Sequence, residues 1–266
     1  MGKENKRALA QRLGISRSSL YYVPKQPEKD WQLKCQIEEV LQEHPSYGYR
    51  RLALHIGVNR KRTWRVMKLF GLQPYRRRGR KWRKRERKPA YIVSNLLLTT
   101  EPLHPHHIWV TDFTHIDWKN TRLYLATMMD LFTRRITGFS VLTNHSIPLI
   151  LNALFSGIHK HTPPEILHSD RGSEYTGGDM RLLCELLDIQ QSMSRQGCPW
   201  ENGYQESFYS QFKVDLGDPG RFSCLGELVY EIYRLLYVYN TSRIHTALKM
   251  PPQMFALRYE LAKLSS

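Results

Sequence analysis

Cysteine is scarce in this sequence of 266 residues: Cys35, Cys184, Cys198 and Cys224 are widely spaced, and no two form a CxxC pair. That spacing suggests neither a disulfide framework nor a zinc ribbon, so reduced thiols are expected. Long apolar runs are missing as well. None approaches the ~18 residues of a membrane span, and Met1 to Arg12 contains no hydrophobic signal-peptide segment. The expectation is a soluble, cytoplasmic chain with no membrane partner. Internal repeats and long low-complexity tracts are also absent. A hydrophobic fraction of 41% and an aromatic fraction of 11% are those of a globular protein, which argues against general disorder.

Acidic residues are short in one part of the chain only. Residues 1–100 hold 25 Lys and Arg against 7 Asp and Glu, a net +18, whereas residues 101–266 hold 15 against 17, a net −2. A solubilising charge would be spread more evenly, so the asymmetry points to a nucleic-acid-binding front end joined to a catalytic or interaction module.

The front end reads as helical. Residues 5–22 have the pattern of a helix, a turn at Gly14 and a second helix capped by Ser16, with Arg17 placed where a recognition helix meets DNA. After Pro24 and Pro27, Trp31 to His44 is an amphipathic packing helix. Tyr49 to Ile56 and Asn59 to Phe70, separated by Gly57-Val58, form a second helix-turn-helix candidate. Its last helix carries Arg60, Lys61, Arg62, Arg65 and Lys68, with Trp64, Val66, Met67 and Leu69 for packing. From Arg76 to Lys88 nearly every residue is basic. Such a block repels itself, so Arg76, Arg77, Arg78, Arg80, Lys81, Arg83 and Lys84 are expected to neutralise DNA phosphates from a linker. The expected division is a helical DNA-binding region over 1–75, a basic linker over 76–103 and a core over 104–266.

Beyond residue 104 the texture changes. Ile108 to Trp118, Leu123 to Phe132 and Arg135 to Leu142 read as an antiparallel meander. A helix (Pro148 to His159), a strand (Ile166 to His168), a helix (Gly178 to Leu187), a strand (Gln190 to Met193) and helices over Glu201 to Val214 and Leu225 to Asn240 follow. The fold class is therefore α/β: a mixed five-stranded sheet flanked by helices, preceded by an all-α helix-turn-helix region.

Three acids stand where that sheet would bring them together. Asp112 lies inside the first strand, Asp170 just beyond the fourth and Glu206 on a helix. An acid among Ile, Trp, Val and Phe is costly to desolvate unless a cation or hydrogen bonds compensate. Magnesium accepts a few carboxylate oxygens plus water and phosphate, and two such ions about 4 Å apart suit in-line displacement at phosphorus. On the helix, Asn202, Glu206, Ser210 and Lys213 follow a spacing that predicts one stripe facing DNA. Lys213 would contact phosphate, and Asn202 would meet DNA, orient a backbone or steer the Glu206 carboxylate. Asp130, beside Arg134 and Arg135, is expected in a salt bridge, and His104, His106 and His107 form a polar lead-in to the first strand.

Six ordered phrases carry a resemblance: residues 47–52 (YGYRRL), 109–114 (WVTDFT), 168–175 (HSDRGSEY), 192–197 (SMSRQG), 201–208 (ENGYQESF) and 239–248 (YNTSRIHTAL). With the 35 residues between Asp170 and Glu206, they resemble the OrfB-type transposases of the insertion sequence three family, relatives of retroviral integrases. The resemblance implies a ribonuclease H-like core and two Mg²⁺ ions, with Mn²⁺ able to substitute. It also implies nicking of element ends by water and joining of the freed 3′-hydroxyl. Carried over, the metal triad is Asp112, Asp170 and Glu206, with Lys213 as the basic residue after it. The family usually has Asp where Glu201 stands and often Gln at Glu174, so these two acids are not expected to be ligands. Implied partners are double-stranded DNA (element ends and target), further copies of the chain on DNA, and an upstream-frame protein, in a bacterial, nucleoid-associated setting. A repressor with an inactive core and a nuclease for RNA-DNA hybrids are the other readings. The intact acids argue against the first and the helix-turn-helix candidates against the second.

Overall fold

A strand covered on both faces reads as an unbroken apolar run, and one half of the central strand has that character. The computed structural model describes residues 10–12, 14, 16, 18, 25–75, 93–195 and 198–265. β1 (Ile108–Trp118), β2 (Thr121–Asp130) and β3 (Ile136–Leu142) form the expected antiparallel meander, and β4 (Ile166–Ser169) and β5 (Gln190–Met193) extend it in parallel. The order is β3-β2-β1-β4-β5. Ile108, Val110, Leu123 and Leu125 pack under α7 (Gly203–Leu216) and α8 (Leu225–Thr241), through Phe208, Phe212, Leu228 and Ile232. Trp109, Ala126 and Met128 face the other way, under α4 (Ile147–Ile158) and α6 (Gly178–Leu186), through Ile150, Ala153, Leu154 and Met180. A short α5 (Ser173–Thr176) follows the Asp170 loop.

Two glycines let α4 lie directly on the sheet. A Cβ at Gly138 would stand 2.3 Å from the Ala153 carbonyl oxygen, and one at Gly157 would meet the Trp109 ring at 2.9 Å. Both distances are closer than a side chain tolerates, so hydrogen at these positions sets the helix-to-sheet spacing.

The helical front end comprises α1 (Gln26–Glu43), α2 (Tyr49–Ile56) and α3 (Arg60–Leu69) around a small core of Leu33, Ile37, Tyr47, Leu52, Val66 and Met67. α2 stops at Gly57 in the left-handed region (φ 74°), and Asn59 caps α3 by accepting from the Lys61 N–H at 2.8 Å. Two residues expected to pack do not: Trp64 is 51% exposed and Leu69 61%. The α3 surface they occupy carries basic side chains, and Lys68 lies 5.3 Å over the Trp64 ring. Most of the helix-turn-helix candidate at 5–22, including Arg17, and the basic block Arg76, Arg77, Arg78, Arg80, Lys81, Arg83 and Lys84 lie outside the described residues.

Three departures from the sequence expectation concern the core. Residues 94–97, assigned to the linker, lie against β5 and the core: Leu96 N–H donates to Ser192 Oγ at 2.9 Å, Met193 N–H donates to Ser94 O, and Leu96 and Leu97 are partly buried on the core. The helix expected from Glu201 begins as a 3-10 turn (Pro199–Asn202) before α7. A final helix, α9 (Pro252–Leu264), was not anticipated. It buries only Pro252 and Ala256 and rests on Phe132 through Phe255 and Tyr259.

Candidate active site

Sheet register decides where the acids meet. Asp112 pairs with Thr127 across β1 and β2 and has the parity of Ile108 and Val110, which puts it on the α7 face. β1 and β4 are parallel, and their last paired level is Val110 with His168. Asp112 and Asp170 each stand two residues beyond it, side by side at the carboxyl end of β4, where α/β sheets place their ligands. Glu206 is exposed in the first turn of α7.

The electrostatics agree with this convergence. Burial, then the neighbouring Asp170 and, more weakly, Glu206 push the Asp112 carboxyl up to about 7. The Phe113 N–H, which donates to Asp112 Oδ1 at 2.8 Å, and the Lys213 charge oppose that rise. Burial and Glu174 raise Asp170, against the Gly172 N–H that donates to its Oδ1 at 2.9 Å. Among the described residues no three His, Cys, Asp or Glu side chains close into a metal-sized cluster. Magnesium does not require such a cage, because it keeps several waters and completes its shell with substrate phosphate. A carboxyl raised by burial and by neighbouring acids, as Asp112 is, is a donor that a hard divalent ion would relieve, so the residues fit the group.

The helix that carries Glu206 is fixed to the strand that carries Asp112. Gln205 Nε2 donates to Val110 O at 2.8 Å, Asn202 Nδ2 to Thr111 O at 3.4 Å and Tyr209 OH to Asp112 O at 2.6 Å. Thr127 ties the row together, 3.0 Å from Gln205 Oε1 and 2.8 Å from Tyr209 OH. Gln205 and Thr127 are fully buried. Sequence reading passed over Gln205 and Tyr209. The available signal was a polar row at i, i+3 and i+7 (Asn202, Gln205, Tyr209) beside Phe208 and Phe212.

Several predicted contacts fall elsewhere. Asn202 is only 5% exposed and donates to the β1 backbone, one of the roles expected of it, whereas Glu206 and Ser210 of the expected stripe are exposed and Lys213 is part-buried. Arg65 makes a two-pronged ion pair with buried Asp30 at 2.8 and 2.6 Å, and Arg62 donates to Lys29 O. Both therefore hold α3 to α1. Arg60 and Lys61 are exposed. Asp130 is not in a salt bridge with Arg134 or Arg135: it accepts from the Thr133 N–H and hydroxyl and the His106 N–H, capping the turn after β2. Glu201 is locked to Arg195 and Asn95, Glu174 lies 3.0 Å from His145, and His104 lies 3.2 Å from Glu165. His168, two residues before Asp170, is a cross-strand tie to Ser192 at 2.9 Å.

Known proteins align with this arrangement. Two models of the integrase core domain match, over residues 102–199 and 187–252. The transposase of insertion sequence element IS904 from Lactococcus lactis is 33% identical over 228 residues, covering 81% of this chain and 89% of that protein. A 31 kDa protein of insertion element IS600 from Shigella sonnei is 30% identical, covering 94% and 98%. The catalytic core domain of the HTLV-2 integrase, solved in complex with magnesium, superposes with a TM-score of 0.50 at 19% identity, over 59% of this chain and 99% of that one. The ribonuclease H-like sheet, the integrase-core matches and relatives alike over most of both lengths agree, and the chain belongs to the DDE transposases of the insertion sequence three family, proteins of DNA transposition and integration.

Proposed function

We propose that this chain nicks the ends of an insertion element and joins the freed 3′-hydroxyl to DNA by in-line phosphoryl transfer, with Asp112, Asp170 and Glu206 as its catalytic carboxylates. The observation that carries this reading is Asp112 buried in β1, with Asp170 of the β4 loop and Glu206 of α7 near enough to add to the rise that burial gives its carboxyl, to about 7. When bound between these carboxylates, a pair of Mg²⁺ or Mn²⁺ ions would stabilise negative charge on the attacking and leaving oxygens. The chain's own part is positional. The Gln205, Asn202 and Tyr209 hydrogen bonds hold Glu206 at a fixed height over β1, and Lys213 supplies positive potential beside Asp112. Exposed Arg60 and Lys61 on α3, with Arg17 and the basic block Arg76 to Lys84, supply non-specific attraction to the duplex.

Joining two element ends calls for two active sites in one assembly, so copies of this chain act together on DNA, with an upstream-frame protein as a possible further partner. The test uses labelled duplex carrying the element's terminal sequence, with Mg²⁺. The wild type should release a nicked strand ending in a 3′-hydroxyl, and folded Glu206→Gln should be slower by about a thousandfold or more, equivalent to ~4 kcal/mol. Cutting by Glu206→Gln at the wild-type rate would remove α7 from the chemistry.

A further inference from the structure

Two of the phrases singled out in the sequence, 47–52 and 239–248, take no part in the acid site, yet they meet in space. Tyr47 OH accepts from the Ile244 N–H at 2.9 Å, and Arg51 donates to Thr246 Oγ1 at 3.0 Å and to Gln211 Oε1 at 2.7 Å. Arg243 donates to Ser46 Oγ and to Gln211 Oε1, both at 2.7 Å. Of these residues, Arg51, Gln211, Arg243 and Ile244 border a cavity of about 90 Å³ that is also lined by Arg134, Tyr204 and His245. Its α7 wall is Tyr204, Ser207 and Gln211, a different row of the helix from Glu206.

Charge in this cavity is unbalanced. Arg243 pairs with Asp215, but among the described residues neither Arg51 nor Arg134 forms a salt bridge. The Arg134 guanidinium lies over the Tyr204 ring at 4.2 Å, on a residue whose backbone is left-handed at φ 62°. Arg134 Nη1 and His245 Nδ1 are both buried without a hydrogen-bond partner. Burial and Arg51 push Arg243 down to about 10, while burial and the three arginines push His245 down to about 4. Positive charge confined in this way is costly without an anion. A cavity of about 90 Å³ is far smaller than the roughly 300 Å³ and more of nucleoside-sized pockets, yet it holds several times the space of one water. A single tetrahedral oxyanion matches both the size and the arginine forks.

We propose that this cavity is a phosphate-group site and that it takes a backbone phosphodiester of the DNA being processed, gripped by Arg51 and Arg134 with Arg243 behind them. The assignment rests on the proposed action on DNA. One wall belongs to the helix that carries Glu206, so a phosphate held here sets the register of the duplex against the acid site.

The experiment measures binding of labelled element-end duplex to the full chain across a salt series. Two variants are compared with the wild type, and melting temperatures and Mg²⁺-dependent cutting are read on the same samples. Arg134→Gln should bind about tenfold more weakly at physiological salt, with the slope of log K against log salt smaller by about one. Ser207→Glu, which brings an acid to the arginines, should melt at or above the wild-type temperature and also bind DNA about tenfold more weakly. Wild-type affinity and slope in either folded variant would overturn the proposal. So would stabilisation of the wild type by sodium sulfate together with unchanged DNA binding in the variants, since the cavity would then serve a free anion. If the wild type cuts nothing, the proposed function fails by itself, and the cavity is still judged on the salt slope.

Discussion

At the scale of single residues, an ionisable group in an apolar strand is visible in sequence because nothing else explains it, and this is why Asp112 could be singled out. Asp170 and Glu206 followed from their places beyond the fourth strand and on a helix, and from the resemblance to which their spacing belongs. What remained hidden was the polar row that holds Glu206 in place, because Gln205 and Tyr209 on an amphipathic helix look like surface residues until the helix is docked. Gln205→Leu tests that role. It removes the donor to the buried Val110 O and the Gln205 acceptor of the buried Thr127 hydroxyl, leaving that hydroxyl with Tyr209 OH alone, so stability in urea should fall by about 2–4 kcal/mol. Gln205→Glu keeps the acceptor and should recover part of the loss. Equal stability of Gln205→Leu and the wild type would mean that the row does not hold the helix. The arginines of α3 were legible as charges but not as contacts: Arg65 is committed to Asp30, an acid four residues from a helix start that carried no sign of a distant partner.

Among elements, strands were the most legible, since the alternating and doubly buried patterns differ sharply from their polar breaks. β1 and β5 have the expected bounds, and the others moved by a residue or two. α9 escaped because it buries so little that its sequence has no clear apolar face. The short helix after Asp170 is a single turn, below what periodicity can register. The closeness of α4 to the sheet was likewise unreadable, because it depends on Gly138 and Gly157 facing each other across a tertiary contact. Gly138→Ala, with its methyl 2.3 Å from a backbone oxygen, should cost about 1–3 kcal/mol or more. Gly178→Ala, with open space around it, should be neutral or slightly stabilising. Urea midpoints of the two variants check the pair, and equal midpoints would show that α4 can shift freely.

For the whole molecule, charge and architecture divide in the same place. The excess of +18 belongs to residues 1–100, while the acid site belongs to a part with net −2, so the basic excess and the acid site lie in different regions of the chain. Their junction is where α2 meets the 239–248 segment, and His44 lies beside it, only 5% exposed and stacked on Tyr47 at 4.4 Å. Burial, then Arg243, pushes His44 down to about 4 from an ordinary 6.5. The folded chain therefore binds fewer protons than the unfolded chain between those values. The stability it contributes is complete above pH 6.5 and is lost as pH falls toward 4. Melting temperature should drop over that window, and His44→Phe should flatten the fall by a few degrees; an identical pH profile in His44→Phe would place the titration elsewhere.

Asp112 of β1 stands at the centre of the proposed chemistry on DNA. The most direct test is joining of a pre-nicked element end to target duplex in the presence of Mg²⁺ by wild type and Asp112→Asn, each shown by circular dichroism to be folded. Asp112→Asn should join about a thousandfold or more slowly, with its melting temperature equal to or above that of the wild type because a desolvated charge is gone. Joining by folded Asp112→Asn at the wild-type rate would contradict it.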